Sequence, residues 1–363
     1  MISLQTYWII FLVLFVVLFG IDYYVSAHRK TVMSVKESLL WTAGWVAVAL
    51  TFGATLFFFF PQNELSHVDT RQMVGIKFIS GYLMEKSLSV DNLFVFLMIF
   101  SLMGVKEINQ PKLLHLGILL SIVLRILFIV LGMGLVQKFH WVMYIFGVIL
   151  IWTAYKMVFT KEEDNVDPKD NFLYKTASRF FPIDPNPDAP HFFSRIKGKF
   201  HITTLFLVFL VIGSTDVLFA IDSIPAIIGV IKEGAMQILT TEEEDFIAIT
   251  SNIFAVMGLI ALYFALKGIL EMFRYIKHGV SFILFFIGIK MLLGYFHPVA
   301  EFFAQNSWIS LTVILGTLTL SILLSIVIAE KKEIDELQED VETLQHELHD
   351  NTIVETKDKS NFE

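Results

Sequence analysis

The chain has 363 residues, of which 55% are hydrophobic and only 17% are charged, and its mean hydropathy is +0.68. A soluble domain of this length carries about 25% charged residues, so the composition excludes an ordinary water-soluble protein. The absence of cysteine excludes disulfides, thiolate metal sites and thiol redox chemistry by the chain itself. The net charge of −8, without a basic stripe, argues against nucleic acid as a partner.

Apolar windows of about 20 residues, the length that a helix needs to cross a bilayer, occur nine times. In chain order they cover 7–26, 36–60, 73–101, 111–136, 139–159, 202–231, 247–270, 276–296 and 309–329. The first window lacks the basic leader and cleavage site of a signal peptide, so we expect it to be retained. The sequence predicts an all-α polytopic membrane protein with about nine transmembrane helices.

The distribution of Lys and Arg predicts the orientation of these helices. With the N-terminus outside, the segments that face the cytoplasm contain 19 of the 27 Lys and Arg residues, against four in the outer loops. Basic loops stay on the cytoplasmic side of a membrane. We therefore expect an N-out/C-in, multi-pass protein of the bacterial cytoplasmic (inner) membrane.

The parts outside the central helices have distinct compositions. Residues 1–60 form two peripheral helices, and 309–329 form the ninth helix. The loop at 160–201 contains five of the nine prolines and is predicted to be an irregular, solvated cytoplasmic connector. In the acidic cytoplasmic tail, 330–363, apolar residues recur with 3–4 spacing over 330–350. This pattern is typical either of a lone amphipathic helix or of a short, self-associating coiled coil.

The central helices contain an internal repeat. The sequence "SVDNLFVF" from residue 89 matches "STDVLFAI" from residue 214, which pairs Asp91 with Asp216. The helices that follow match in the same order, so helices 3–5 (73–159) and 6–8 (202–296) resemble two copies of one unit. An odd number of helices per unit forces the second copy to insert upside down, and such inverted repeats bind substrates near the bilayer midplane.

Four carboxylates interrupt the apolar sequence of helices 3 and 6: Glu85, Asp91, Asp216 and Asp222. A charge at the bilayer centre costs at least ~2.5 kcal/mol, so these acids need a function or partners. We expect Asp91 and Asp216 to meet at the midplane. Six residues separate each from its neighbouring acid, which places Glu85 and Asp222 about 9 Å further outward. The structural alternative is a set of buried salt bridges that ties the helices together.

Neighbouring polar residues favour a cation site. Hard oxygen ligands suit Mg, Mn and Ca. Beside the acids, the predicted oxygen ligands are Asn92, with Ser89, Ser214, Thr215 and Asn252 in supporting positions.

Helix 6 is also weakened near its acids. Pro225 cannot donate to the carbonyl of Ile221, and Gly213 lies on the other side of Asp216. Broken membrane helices are tolerated where they face protein or a water-filled cavity.

The basic residues divide into two groups. Arg125 lies in the middle of its predicted span, and Lys86 directly follows Glu85. We expect both to act as counter-ions to the carboxylates. Lys156 and Lys290 lie near helix ends, where long side chains extend toward the membrane surface.

The motifs "EKSLSVDNLFVF", "GSTDVLFAIDSIPAI" and "TSNIFAVMGL" resemble those of the TerC family of integral membrane proteins, and the helix layout is most similar to its Alx branch. The resemblance covers roughly residues 5–330. It implies handling of Mn(II), by efflux and metal homeostasis, with Glu85, Asp91, Asn92, Asp216 and Asp222 at the positions of the acidic motifs. One departure is Ile260, which stands where the family pattern has arginine.

Two functions follow as hypotheses. The first is a secondary transporter that exports divalent cations, Mn(II) above all, by alternating access around Asp91 and Asp216, with protons as a coupling ion. The second is a membrane scaffold or metal-sensing partner that binds a cation structurally. We expect no enzymatic activity and no organic cofactor, because the sequence contains no hydrolytic triad, phosphate-binding loop or "YD…GxGD" protease pattern.

Overall fold

The computed structural model of the protein describes most of the chain before residue 328. The described residues are 3–27, 33–61, 70–159, 168–184, 186, 191–232, 239–268, 275–296, 298–299, 302–303, 306, 308–325 and 327. The side chains of several helical residues, Asp91 and Asp222 among them, lie outside this description. So does the predicted tail at 330–363.

Helices account for nearly all of the regular structure. In chain order they are α1 (Leu4–Ala27), α2 (Val35–Phe59), α3 (Thr70–Leu102), α4 (Gln110–Lys138), α5 (Val142–Phe159), α6 (Phe172–Phe180), α7 (Thr204–Lys232), α8 (Thr241–Val256), α9 (Leu259–Gly268), α10 (Ile276–Leu293) and α11 (Trp308–Ser325). Two 3-10 turns cover Glu107–Asn109 and Pro168–Asp170, and strands β1 (Phe193–Ile196) and β2 (Lys199–Ile202) pair in an antiparallel hairpin.

Helices α1, α2, α4, α5 and α11 are each long and apolar enough to cross a membrane. Helices α8 and α9 form a sixth crossing if the 43° bend between them belongs to one broken span. Helices α3 and α7, with 33 and 29 residues, also have sufficient length, although both carry the predicted acids. The all-α polytopic fold is confirmed. The count of nine, the orientation and the inverted repeat stay predictions.

The centre of the bundle is formed by α3, α4, α7 and α8, in which α7 and α8 contact each other and each contacts both α3 and α4. Helices α5 and α10 approach closely through two glycines, since a Cβ on Gly288 would lie 2.8 Å from the carbonyl oxygen of Gly147. Small residues allow such close packing of membrane helices. Many large apolar side chains on α1, α5 and α11 are exposed, as surfaces that contact lipid require.

The prediction of an irregular connector at 160–201 is wrong for its described residues. Asn171 caps α6, because its Oδ1 accepts hydrogen bonds from the backbone amides of Leu173 (2.9 Å) and Tyr174 (3.4 Å). Strands β1 and β2 turn at Lys197 and Gly198, both with positive φ. Proline content concealed these elements, since α6 lies between Pro168 and Pro182 and the strands follow soon after Pro190.

The break among the central helices lies at a different position from the one that the sequence favoured. Helix α7 continues through Pro225. Helices α8 and α9 separate instead at Gly258, whose φ of +72° favours glycine. The ring of Trp45 also packs there, because a Cβ on Gly258 would lie 2.3 Å from it. The backbone thus ends its regular hydrogen bonding inside the bundle.

Candidate cation site

Four polar side chains from four helices meet in the middle of the bundle. They are Glu85 of α3, Arg125 of α4, Asp216 of α7 and Asn252 of α8, and each is at most 5% exposed. The apolar faces of these helices pack together and so carry the polar groups inward. The site is therefore a buried polar centre in a surrounding hydrophobic core.

Glu85 has a partner for each carboxylate oxygen. Its Oε1 accepts hydrogen bonds from Arg125 Nη1 and from Ser89 Oγ, the latter at 3.2 Å. Its Oε2 accepts from Asn252 Nδ2 at 3.0 Å. Arg125 is held in turn by Ser121, whose Oγ accepts from Nε at 2.9 Å. These bonds fix the carboxylate and guanidinium in one arrangement.

Asp216 is much less well satisfied. Its Oδ1 lies 3.8 Å from Arg125 Nη2, which is too long for a hydrogen bond. Its Oδ2 is buried and has no hydrogen-bond donor among the described residues, and the same is true of Asn252 Oδ1. A buried acceptor without a donor is costly. Both atoms are oxygens, so the group that would satisfy them is a cation or a donor such as water.

The charges of this centre do not balance. When both are ionised, Glu85 and Asp216 carry two negative charges, whereas Arg125 supplies one positive charge. An uncompensated charge in the interior is strongly unfavourable, so the described site calls for another cation or a proton. Within the described residues no three His, Cys, Asp or Glu side chains cluster closely enough to hold a metal. Asp91 and Asp222, whose side chains lie outside the description, were the other predicted acids.

The structure brings some of the predicted ligands together and not others. Ser89 and Asn252 contact Glu85, and Asn92 is buried on α3. Ser214 and Thr215 instead donate to the carbonyl of Val211, at 2.9 and 2.8 Å. A helix hydroxyl that bonds its own preceding turn is directed along the helix, so the structure does not show these two as ligands.

Arg125 lies between two of the predicted acids. The sequence predicts Glu85 outward of Asp216, and in the structure both carboxylates approach the guanidinium of Arg125. The expected contact of Asp91 with Asp216 falls on a side chain that the structure does not describe. The repeat relates equivalent sequence positions of two helices, but helix packing determines which of their side chains meet.

Lys86 contacts neither Glu85 nor Asp216, the two described acids, which differs from its prediction as their counter-ion. Its Nζ donates to the backbone carbonyls of Ala255 (3.1 Å) and Met257 (3.3 Å), at the end of α8. The sequence could not indicate this role, because the acceptors are main-chain atoms exposed by the break. Lys86 thus stabilises the broken helix.

Lys290 also differs from its prediction. It is buried, donates to Ser310 Oγ at 2.5 Å and lies between the rings of Phe286 and Phe303, so it does not extend to the membrane surface. Lys156 is exposed, in agreement with its prediction. Ile260 is buried on α9 and lines a small cavity with Asp22.

Comparison with known proteins identifies the family. Residues 70–333 match the description "Integral membrane protein TerC family". An uncharacterized membrane protein of Myxococcus xanthus, STKORF319, is 38% identical over 321 residues, which cover 88% of this chain and 92% of the relative. Alx of Escherichia coli K12, named as a candidate membrane-bound redox modulator, is 37% identical over 318 residues, 87% of this chain and 92% of Alx.

A membrane protein of Rickettsia bellii is 34% identical over 320 residues, 88% of this chain and 97% of its own length. No solved structure matches the chain. The family match includes α3, α4, α7 and α8, the four helices that build the polar centre. This chain belongs to the TerC family of integral membrane proteins.

Proposed function

We propose that the protein is a secondary transporter that exports a divalent cation, Mn(II) above all, across the bacterial cytoplasmic membrane through the centre formed by Glu85, Arg125 and Asp216. The observation that carries the proposal is the buried Asp216 Oδ2, which has no donor in the described structure and lies beside an unbalanced charge. A permanent structural ion pair would leave neither a buried acceptor without a donor nor an excess of negative charge. Both features favour a site that an ion fills and leaves.

The chemistry of the centre favours a hard divalent ion. Carboxylate and amide oxygens are the ligands of Mn(II), Mg(II) and Ca(II), and the chain has no cysteine to select softer metals. If Asp91 and Asp222 join the centre, four carboxylates oppose one guanidinium and leave three negative charges. A divalent cation neutralises two of them and a proton the third, so we include protons as the coupling ion.

The name of Alx gives an additional reason for a metal. A chain without cysteine cannot perform thiol exchange, so redox modulation by a protein of this kind would act through something else. Control over a redox-active ion such as Mn(II) is one such route. This reasoning supports manganese over magnesium and calcium.

Flux measurements test the proposal. Purified protein in vesicles is expected to move Mn(II), and Asp216→Asn to abolish the flux while the protein stays monodisperse. Asp22→Asn is the matched control, since it removes another carboxylate of a membrane helix, one that pairs with His115 at 3.6 Å rather than with Arg125. Full flux by Asp216→Asn would rule out the site.

The alternative is a scaffold or metal-sensing protein that binds a cation without moving it. The three hydrogen bonds on Glu85 favour this alternative, because they hold the carboxylate in one arrangement, as in a permanent structural site. Ligand binding raises stability by about 2.7 kcal/mol at one hundred times the dissociation constant. Stabilisation of the wild type by Mn(II), with no flux in vesicles, would therefore support the scaffold.

A further inference from the structure

Helix α6 and the β1–β2 hairpin form a small unit attached to the N-terminal half of α7. Asn171 Nδ2 donates to Ser214 Oγ of α7 at 2.7 Å. Thr203 Oγ1 donates to the carbonyl of His191 at 2.7 Å, and the ring of Phe192 packs against that of Phe209 at 5.6 Å. The unit is thus held beside a membrane helix and is not a free loop.

The outer surface of this unit is rich in phenylalanine. Phe172 and Phe180 of α6 are 77% and 73% exposed. Next to the hairpin, the ring of Phe200 lies 5.1 Å from that of Phe193 and 6.1 Å from that of Phe181, and all three side chains are about half exposed. We call these five residues the aromatic face. Exposed apolar patches of this kind mark surfaces that bind a membrane or a partner.

Charge distinguishes between these two kinds of partner. On α6, Lys175 and Arg179 are exposed and lie within about 60° of Phe172 around the helix axis. In the sequence, residues 168–202 contain six Lys and Arg against three Asp, although the whole chain carries a net charge of −8. Helices with basic residues beside Phe and Leu lie in the interface of a bilayer, where anionic headgroups attract the bases.

The position of the unit also favours a membrane as the partner of its aromatic face. The unit follows α5, a candidate membrane span, and β2 leads almost directly into α7, so one end of the unit adjoins the start of an apolar helix of the bundle. Lys112 of α4 also lies 5.4 Å from the ring of Phe192, which adds a cation from another helix at this level. A separate protein partner would require none of these relationships.

We propose that α6 and the β1–β2 hairpin are a lipid-binding unit that inserts its aromatic face into the headgroup–acyl boundary and binds the phosphates of anionic lipids through Lys175 and Arg179. The unit thereby anchors the segment that contacts Ser214, two residues before Asp216. The proposal concerns the membrane and does not depend on metal transport.

The cysteine-free chain permits a direct test, because one introduced cysteine is the only site for a spin label. Labels are placed at Phe172→Cys and Phe180→Cys of the full chain in phosphatidylglycerol vesicles. Val148→Cys, on an exposed position of α5, is the lipid-facing reference. We expect both α6 labels to be accessible to oxygen and shielded from a water-soluble nickel complex, as the reference is.

The contribution of charge is measured with Lys175→Gln/Arg179→Gln in the chain labelled at position 180, which leaves the other four residues of the aromatic face unchanged. In phosphatidylglycerol this variant is expected to raise nickel accessibility at position 180 several-fold, and phosphatidylcholine to do the same to the unaltered chain. Equal shielding in both lipids would overturn the role of anionic headgroups. Labels that are open to nickel in both lipids, or shielded only in native membranes, would overturn the proposal, the latter in favour of a protein partner.

Discussion

Glu85 and Asp216 flank the same guanidinium, yet they are satisfied to very different degrees. Arg125 contacts Glu85 directly and lies 3.8 Å from Asp216. Glu85 accepts two further hydrogen bonds, whereas Asp216 Oδ2 accepts none from the described residues. Glu85 is therefore the fixed member of the pair, and Asp216 is the one available to an incoming ion.

Removing the guanidinium is expected to destabilise the protein and to strengthen metal binding. In Arg125→Met, Glu85 and Asp216 lose their shared positive charge, and breaking a buried ion pair in this way costs about 3–5 kcal/mol. A divalent cation can replace the lost charge. We expect a lower midpoint of thermal unfolding in detergent and a larger upward shift with Mn(II) than in the wild type.

A second substitution separates this explanation from a simple packing defect. Glu85→Gln removes one of the two opposing charges, so Arg125→Met/Glu85→Gln is expected to be more stable than Arg125→Met alone. Residues in one ion-pair network show interaction energies of about 0.5–3 kcal/mol in such cycles. Additive effects of the two changes would show that charge is not the cause.

Asn252 is expected to stabilise the site as a donor. Asn252→Ala leaves Glu85 Oε2 without its hydrogen bond of 3.0 Å, and a bond to a charged group contributes about 1.5–3 kcal/mol. Thermal unfolding measures the loss. The neighbouring Ser251→Ala is the control, because that hydroxyl donates only a long bond of 3.3 Å to Ala248 within its own helix, and an equal loss there would contradict the assignment.

Lys86→Met is expected to loosen the junction between α8 and α9. Two main-chain carbonyls lose their donor, and an unsatisfied buried group costs about 1–3 kcal/mol. Hydrogen exchange is expected to rise locally around residues 255–260. The exposed Lys156→Met of α5 is the matched control. Unchanged exchange at the junction in Lys86→Met would refute this role.

Ile260→Arg, which introduces the residue of the family pattern, is expected to be tolerated because of Asp22. Both residues line the same small cavity, so the new guanidinium has a carboxylate within reach. Asp22→Asn/Ile260→Arg lacks that partner and is expected to unfold at a lower temperature than either single variant. If the double variant is as stable as Ile260→Arg, the proposed pairing is wrong.

The sequence was most informative where a charge interrupts an apolar helix. Three charged residues were recognisable because their burial in a membrane requires a partner: Glu85, Arg125 and Asp216. Asn252 was recognisable because its amide lies among apolar residues. Their convergence on Arg125 was not predictable, since it depends on how α3, α4 and α7 pack. The spacing of residues in the sequence predicts how far apart two side chains lie along one helix, but not which side chains of other helices they contact.

The errors arose where the partner belongs to the main chain or to a short element. Lys86 binds carbonyls that become available only because α8 ends just before Gly258, and a glycine in an apolar helix does not by itself predict a break. Helix α6 has only nine residues, too few for a helical pattern to be distinct beside several prolines. Lys290 was misjudged because Phe303 and Ser310, which complete its surroundings, lie beyond the end of its own helix.

Glu85 and Lys86 are consecutive in sequence, so their side chains leave α3 about 100° apart, yet both reach α8. Glu85 contacts it through Asn252, and Lys86 through the carbonyls at its end. These two contacts join α3 to α8 on two sides of α3, so rotation of one helix against the other would break at least one of them. The polar centre and the junction between α8 and α9 are therefore attached to the same turn of α3.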